Sequence, residues 1–446
     1  MQQSQYIITE ASLTADRLGG FETESIDIRN LIMELSLYES IYDMCITGEI
    51  TILDDKSLFD EIDFRGTEKL RIKIAGKDKD IEPVMEKTFI LDSIKQENRG
   101  SNSQGVFTFS VIEEHGILAT AQKLRNSYRG SISNIITKIA ISYLDKFVDT
   151  SYTGQLDAIQ DSIRVIIPNL NPNKAIKWLT SRATTTTGSP YFIWSTIQDN
   201  NLRFGNLDVM YSQEPWNENF PYTYNPANVS TAEAKSELES AFIITALIPG
   251  ESNNLLESIV EGHYGANQET TNLNTGQIER RHYNVLNTLN NLDREGIIKI
   301  EKQNVYDDQY RLNDIPLASY DAVNIHSILS SGVYGDYKSY HDEFDKSLLT
   351  KKLESASINN LLLKNCYHLV IPGSGFFIGK ATVGDTVNVR IVNTNLEVGE
   401  QTTKDNLIDK KKSGKHLITK LRHTFRGEKH ETYMQVAKLE KAIWLN

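Results

Sequence analysis

The alternation of apolar and polar residues divides the chain into β-rich ends and a mixed centre. Strict alternation over short runs is typical of half-buried strands, and it occurs near both ends of the chain. The predicted strands are Leu31–Leu37, Cys45–Leu53, Leu70–Ile74, Phe89–Ile94, Val106–Ile112, Tyr367–Ile371, Thr386–Ile391, His416–Phe425 and Glu431–Leu439. In the first of these strands, we expect Leu31, Met33, Leu35 and Leu37 to lie on one face.

The period changes to that of a helix in the centre. Apolar residues from Ile132 to Phe147 recur at helical spacing, with Ser131 or Ser133 as the N-cap candidate. A second helix is predicted over Asn171–Arg182, because Asn171 is a good cap and proline follows it. The remaining predictions are a hairpin of Tyr191–Ile197 and Leu202–Phe204, an extended connection over 214–235, a short buried strand Ala241–Ile248, and helices Leu255–Val260 and Asp345–Asn359. Residues 265–345 give only mixed signals.

Two hairpins at opposite ends of the chain resemble each other. At an offset of 327 residues, Ile90-Leu91 aligns with Leu417-Ile418 and Arg99-Gly100 aligns with Arg426-Gly427. Each hairpin then returns on an alternating strand. Few identities are involved, so either the similarity is coincidental or the chain contains a duplicated β-domain.

These elements predict an α+β, mainly β fold. It consists of two related antiparallel β-barrel domains with an inserted α+β domain between them. The predicted division is 1–115 for the first barrel, 116–235 for the first part of the insertion, 236–265 for a strand and helix of the second barrel, 266–345 for the second part of the insertion, and 346–446 for the second barrel.

Composition limits the class of protein. The 446 residues carry 47 Lys and Arg against 59 Asp and Glu, a net charge of −12 that argues against a general nucleic-acid binder. The balance is −11 in residues 1–115, −9 in 116–345 and +8 in 346–446. Opposite charge at the two ends indicates two parts that attract each other, a basic end for an acidic partner, or simple drift.

Neither export nor membrane anchoring is expected. Two cysteines cannot form a disulfide framework, and the first residues lack the basic and apolar regions of a signal peptide. The longest apolar stretch, around Phe242–Ile248, is far shorter than the roughly 20 residues that span a bilayer. We therefore expect synthesis in a reducing compartment.

Two glycine-containing segments resemble catalytic motifs without completing them. Gly373–Ala381 resembles a phosphate-binding loop, but Ser374 replaces the first glycine and Ala381 the final hydroxyl residue. Gly250–Asn254 begins like a nucleophile elbow around Ser252 but lacks the second glycine. A β-turn and a helix cap are the ordinary explanations, although Ser252 keeps hydrolase chemistry open.

The histidines do not form a metal motif. Three of them recur every seven residues on predicted strands, a period that alternates faces and does not gather three ligands on one face: His416, His423 and His430. We expect no catalytic residue, no metal and no cofactor.

One candidate contact segment is a cluster of lysines in a predicted loop of the last domain. Its members are Lys404, Lys410, Lys411, Lys412 and Lys415. It is interpreted either as a solvated loop or as a contact with an acidic protein surface or passing nucleic acid. Because aromatic residues are not interleaved, sequence-specific nucleic-acid binding is not expected.

The segments read so far resemble a known family. Leu31–Asp55, with Gly66–Ile74, resembles the first barrel domain of the central baseplate hub protein of T-even-type contractile-tailed bacteriophages. The resemblance continues through Pro172–Arg182, Tyr191–Asp199, Tyr211–Pro215 and Phe376–Val392. It ends in His416–Leu439, which is also similar to the hub portion of type VI secretion spikes. Residues 265–345 have no counterpart.

The resemblance implies a structural virion protein without enzymatic activity. Members of the family form a homotrimer whose two barrels per subunit alternate in a six-membered ring, which adapts a sixfold tail tube to a threefold spike. It further implies as partners the central spike protein, the tail tube or tube-initiator protein, baseplate wedge proteins and the tape measure protein, with DNA only as passing cargo. The implied location is the tail baseplate, assembled in the host cytoplasm. The alternatives are the hub of a non-phage contractile injection system and a tail-associated peptidoglycan hydrolase or carbohydrate-binding protein.

Overall fold

The computed structural model describes most of the chain. The described residues are 6–16, 23–55, 59, 62, 64–76, 85–99, 105–154, 163–183, 185, 188–225, 241–250, 255–273, 276–287, 311–329, 352–360, 362–363, 366–373, 381–392, 408–409 and 412–438. Their largest feature is a sheet of 13 strands that runs through two β-barrels.

The first barrel uses the N-terminal strands. They are β1 (Tyr6–Asp16), β2 (Thr23–Asp27), β3 (Ile32–Ser40), β4 (Thr47–Asp54), β5 (Lys69–Gly76), β6 (Met85–Arg99) and β7 (Gly105–Glu113), with a 3₁₀ turn at Arg29–Leu31. Their order in the sheet is β3–β4–β7–β6–β5–β1–β2. The Ile28 N–H donates to the Ala11 carbonyl, which brings the segment before β3 back to β1. The inward side chains, such as Leu37, Ile50 and Phe109, form a closed apolar core.

The second barrel combines strands from the middle and the end of the chain. They are β13 (Tyr222–Tyr224), β14 (Ala246–Pro249), β20 (Cys366–Pro372), β21 (Thr386–Ile391), β22 (Gly414–Arg426) and β23 (Lys429–Ala437). Their order is β14–β20–β23–β22–β21–β13. A bridge between Thr223 and Ile243 joins β13 to the segment before β14, so the strands return on themselves. β13 falls within the range assigned to the insertion, yet it pairs with β21.

The two barrels have equivalent strand orders. Reading β3–β4–β7–β6–β5–β1 beside β14–β20–β23–β22–β21–β13 pairs each strand with a counterpart, although β1 is antiparallel to β5 and β13 is parallel to β21. The hairpins agree in detail, because β6 has a bulge between Leu91 and Ser93 and β22 has one between Ile418 and Lys420. These bulges lie 327 residues apart, which is the offset of the sequence repeat.

The first insertion is an α+β module. Its helices are α1 (Glu114–Ala121), α2 (Ile132–Ile139, continued by a π turn at Ala140–Leu144), α3 (Pro172–Thr180) and α4 (Leu207–Ser212), with a 3₁₀ turn at Ser151–Thr153. Its strands are β8 (Ser127–Gly130), β9 (Val148–Asp149), β10 (Ile163–Ile166), β11 (Tyr191–Ser195) and β12 (Leu202–Asn206). The predicted caps are confirmed: Ser131 Oγ accepts from the Asn134 N–H, and Asn171 Oδ1 accepts from the Lys174 N–H at 2.8 Å.

The second insertion contains a small separate sheet. Its elements are α5 (Leu255–Val260), β15 (Gly265–Asn272), β16 (Ile278–Asn284), β17 (Arg311–Leu312), β18 (Ile315–Pro316), a 3₁₀ turn at Leu317–Ser319, β19 (Val323–Leu329) and a helix over 352–360. β15 lies between β16 and β19. Tyr264, Ala266 and Tyr283 pack into the same apolar core as the second barrel, so this sheet is held against that barrel.

The mainly β fold predicted from the sequence is confirmed, with two local corrections. Met33 does not share the buried face of Leu35 and Leu37, because a bulge between Ile32 and Glu34 shifts the register and leaves Met33 exposed. The strand predicted over Ala241–Ile248 is shorter and less buried, because β14 lies at the end of the sheet and Ile248 is 54% exposed. The predicted helix over 345–359 lies partly outside the described residues.

Candidate functional site

The two barrels are joined directly by strand pairing. Lys420–Arg426 of β22 is antiparallel to Glu34–Ser40 of β3, so one sheet continues as β14–β20–β23–β22–β3–β4–β7–β6. One face of this eight-stranded sheet packs on the two apolar cores. We call the opposite face, from β23 to β6, the outer face. It crosses the junction without interruption.

Two complete rows of the outer face carry only polar side chains. The first row runs Glu431, Thr424, Ser36, Glu49, Ser110 and Ser93. The second runs Lys429, Arg426, Glu34, Thr51, Thr108 and Gln96. Apolar side chains that a sheet normally needs for burial are thus absent from these two rows, and the surface they form is fully hydrated.

Hydroxyl groups contact each other from strand to strand along these rows. Ser36 Oγ lies 3.3 Å from Thr424 Oγ1, which bridges the junction between the barrels. Thr51 Oγ1 lies 3.0 Å from Thr108 Oγ1, and the Ser93 and Ser110 hydroxyls are 2.8 Å apart. Short hydroxyl side chains that satisfy one another form a smooth surface with few long projecting groups.

The charges on the outer face largely neutralise one another. Lys95 Nζ lies 2.5 Å from Glu49 Oε1, and Arg426 Nε lies 3.9 Å from Glu34 Oε2. A third row contains Tyr38, Arg422 and Tyr433, with the guanidinium carbon 5.5 Å from each ring centroid. The result is a surface of mixed charge that does not attract a polyanion strongly.

A buried polar chain lies behind the junction. Glu39 of β3 accepts a hydrogen bond from Thr382 Oγ1, and its other oxygen lies 3.4 Å from His423 Nε2 of β22. His423 Nδ1 is in turn 3.3 Å from His430 Nε2 of β23. Burial lowers the pKa of His430 well below its ordinary value, so this ring is neutral at physiological pH. The chain connects both barrels through polar contacts in an apolar setting.

A second buried cluster attaches the first insertion to the first barrel. Lys87 Nζ lies 3.0 Å from Glu113 Oε1 and also reaches the Asp199 carbonyl, while Lys146 Nζ reaches the Asn200 carbonyl at 3.0 Å. Burial acts to raise the pKa of Glu113, but Lys87, His115 and Lys146 outweigh it and hold the pKa below the usual range. The tip of the β11–β12 hairpin is thereby fixed on β6 and β7.

The predicted lysine cluster is only partly visible. Lys404, Lys410 and Lys411 lie outside the described residues. Lys412 is exposed and lies 3.4 Å from Asp409, whereas Lys415 begins β22 with its ammonium group 5.3 Å from the Tyr211 ring. The role of this cluster as a partner contact stays a prediction.

The motifs that resembled catalytic sites have structural surroundings. Ser252 and residues 374–380 lie outside the described residues. The Gly373 N–H donates to the His430 carbonyl at the edge of the second barrel. His416 is buried away from the pair formed by His423 and His430, and no group of three or more His, Cys, Asp or Glu suited to a metal occurs in the described part of the chain.

Cys45 and His115 are neighbours but do not form a nucleophilic dyad. Cys45 Sγ lies 3.2 Å from His115 Nε2, and this nitrogen also lies 2.7 Å from the Met44 carbonyl. Because a carbonyl is only an acceptor, that nitrogen carries its proton and does not act as a base toward the thiol. Burial raises the pKa of Cys45 to about 12, which keeps the thiol protonated.

The fold has counterparts among solved structures. The chain aligns with the tail protein from Neisseria meningitidis MC58 at 11% identity, with 97% of each chain covered and a TM-score of 0.52. It shares the fold of that tail protein. The 43 kDa tail protein of prophage MuSo2 from Shewanella oneidensis aligns at 8% identity over 97% of this chain and 99% of that one, with a TM-score of 0.49.

Other comparisons add a further neighbour and two negative results. Prophage tail protein gp18 from Listeria monocytogenes EGD-e aligns at 10% identity over 97% of this chain and 95% of that one, with a TM-score of 0.46. No family model and no curated protein matches the chain. The resemblance read from the sequence also pointed to tail proteins. Within the described residues, the helices are too short or too polar to cross a membrane.

Sequence reasoning missed the outer face itself. Its residues were read as the polar half of an alternating pattern, and Thr424 and Ser36 are nearly 400 residues apart. A signal was present, because Ser110, Thr108, Thr51 and Glu49 all occupy polar positions of predicted strands. Their alignment into rows depends on strand register, which the alternation does not specify.

Proposed function

We propose that this chain is a structural subunit of a contractile tail, the central hub of its baseplate. Three copies form a ring that connects a sixfold tail tube to a threefold spike. The observation that carries the proposal is the pair of equivalent barrels joined through β3 and β22. Three chains with two equivalent barrels each supply six similar units, which suits a ring that has threefold symmetry and nearly sixfold shape.

The outer face is the proposed lining of the ring's channel. Its polar rows offer hydroxyl groups and paired charges in place of apolar or strongly basic side chains. Such a lining allows a polypeptide or DNA to pass without adhering. The tape measure protein and DNA are the proposed cargo, and neither is a stable ligand.

The distribution of charge supports the arrangement of the ring. Residues 1–115, which contain the first barrel, have a balance of −11, and residues 346–446, which contain most of the second, have +8. We infer that the acidic barrel of one copy abuts the basic barrel of the next. Complementary fields favour correct pairing and faster assembly, although single exposed ion pairs contribute little.

The fold shared with a tail protein supports a place in the tail of a virion. The proposed partners are the central spike, the tail tube or tube-initiator protein, the wedge proteins of the baseplate and the tape measure protein. The hub of a non-phage contractile injection system has the same requirements, and genomic neighbours would distinguish the two. A structural role requires no enzymatic activity.

The proposal is tested by native mass measurement of the purified chain, alone and with the candidate spike protein from the same genome. We expect a trimer in at least the second sample and a ring with an axial channel in electron micrographs. A chain that stays monomeric in both samples refutes the hub. Hydrolysis of peptidoglycan by the wild type, lost in Ser252→Ala, favours the hydrolase instead.

A further inference from the structure

The equivalence of the barrels reveals one contact that is made only once within the chain. β22 corresponds to β6, and β3 corresponds to β14. Lys420–Arg426, the half of β22 after its bulge, pairs with β3. The corresponding half of β6, from Ser93 onward, pairs with β7 and with no second strand among the described residues. β14 likewise pairs only with β20 in the described part of the chain.

We propose that the half of β6 after its bulge pairs with β14 of the neighbouring copy, repeating between chains the contact that β22 and β3 make within the chain. This inference rests on the proposed ring and specifies the surface that closes it. Each copy presents β6 at one end of the eight-stranded sheet and β14 at the other. The contact is therefore head-to-tail, and repeated three times it closes a continuous circular sheet.

The register of the proposed contact follows from the ladders on either side. Asn98 faces Val106 on β7 as Thr424 faces Glu431 on β23. Ile248 faces His368 on β20 as Ser36 faces Glu49 on β4.

Because Thr424 pairs with Ser36 inside the chain, Asn98 is expected opposite Ile248 of the neighbouring copy. Both side chains are exposed in the single chain, and Ile248 is an apolar residue with 54% of its surface accessible. Pairing would cover it.

The chemistry of the two edges favours this partner over an arbitrary strand. β6 belongs to the acidic end of the chain and β14 to the barrel that contains the basic end, so their fields are complementary. β14 is only four residues long, and Pro249 lacks an N–H group. A short edge with a proline resists unspecific pairing, whereas a partner with matching register still forms the remaining ladder bonds.

The test is a pair of cysteine substitutions at the expected contact. Single variants Asn98→Cys and Ile248→Cys are mixed during assembly and oxidised mildly, and disulfide-linked dimers are quantified on non-reducing gels. Ser93→Cys replaces Asn98→Cys in the control, because Ser93 is also exposed on β6 but lies roughly 15 Å along the strand. The wild type, with Cys45 and Cys366, serves as the blank. Circular dichroism confirms that each variant folds.

We expect at least tenfold more linked dimer from Asn98→Cys with Ile248→Cys than from the control. Equal linkage in both mixtures, or none in folded variants that native mass measurement shows to be trimeric, overturns this contact while the proposed function stands. A chain that forms no trimer, alone or with the spike, overturns both. The two failures are thus distinguishable.

Discussion

His416 offers a direct test of how burial controls the stability of the second barrel. Its ring is fully buried at the start of β22, where Nδ1 lies 2.8 Å from the Gly414 carbonyl and therefore donates to it. Burial is the main reason that the pKa of this histidine falls from 6.5 to about 3, and Lys438 adds to the effect. We therefore expect His416 to make the folded state sensitive to acid.

The sign follows from proton binding. Below pH 6.5 the unfolded chain binds a proton at His416, whereas the folded chain stays neutral until about pH 3. The stabilising contribution is complete above pH 6.5 and is lost progressively as the pH falls toward 3. At pH 5.0, about 1.5 pH units below the ordinary pKa of 6.5, the loss is about 2 kcal/mol.

The assay compares His416→Asn with the wild type by urea unfolding, monitored by tryptophan fluorescence at fixed protein concentration. The asparagine amide keeps a donor for the Gly414 carbonyl but does not titrate. Between pH 7.5 and 5.0 the variant should lose about 2 kcal/mol less stability than the wild type. His368→Asn, at an exposed position on β20, is the matched control and should behave as the wild type. The same pH dependence in His416→Asn and wild type would refute the reasoning.

Three further substitutions test the packing that positions the outer face. Lys87→Met should cost about 3–5 kcal/mol in urea unfolding because it leaves Glu113 buried without its closest cation, and adding Glu113→Gln should restore most of this; no restoration would contradict the ion-pair argument. Asn171→Ala should cost about 1 kcal/mol through loss of the α3 cap, whereas Asn171→Asp should cost little; equal losses would exclude a capping role. Gly48→Ala should lower the thermal midpoint and hinder assembly, because the added carbon would lie 2.3 Å from the Ser36 carbonyl oxygen at the β3–β4 contact; an unchanged midpoint would show that this contact yields easily.

Local features of this protein were accessible from the sequence because a few neighbouring residues encode them. Alternation located the hairpins of both barrels, and the short polar side chains of Ser131 and Asn171 marked helix starts that the structure confirms. The repeat at an offset of 327 even anticipated the matching bulges of β6 and β22. A bulge and its flanking strand form one local unit, so their spacing survives in the sequence.

The functional surface was decided by tertiary structure alone. Alternation states that Ser36 and Thr424 are polar, but only the pairing of β3 with β22 places their hydroxyls 3.3 Å apart. The same pairing brings Glu39 to His423, which spacing along one strand had excluded as a common site with His430. Contacts across nearly 400 residues depend on which edges the two barrels leave unpaired and on how their cores close. Such edges are created by folding, so a single strand's sequence specifies its own two faces but not the strand that will lie beside it.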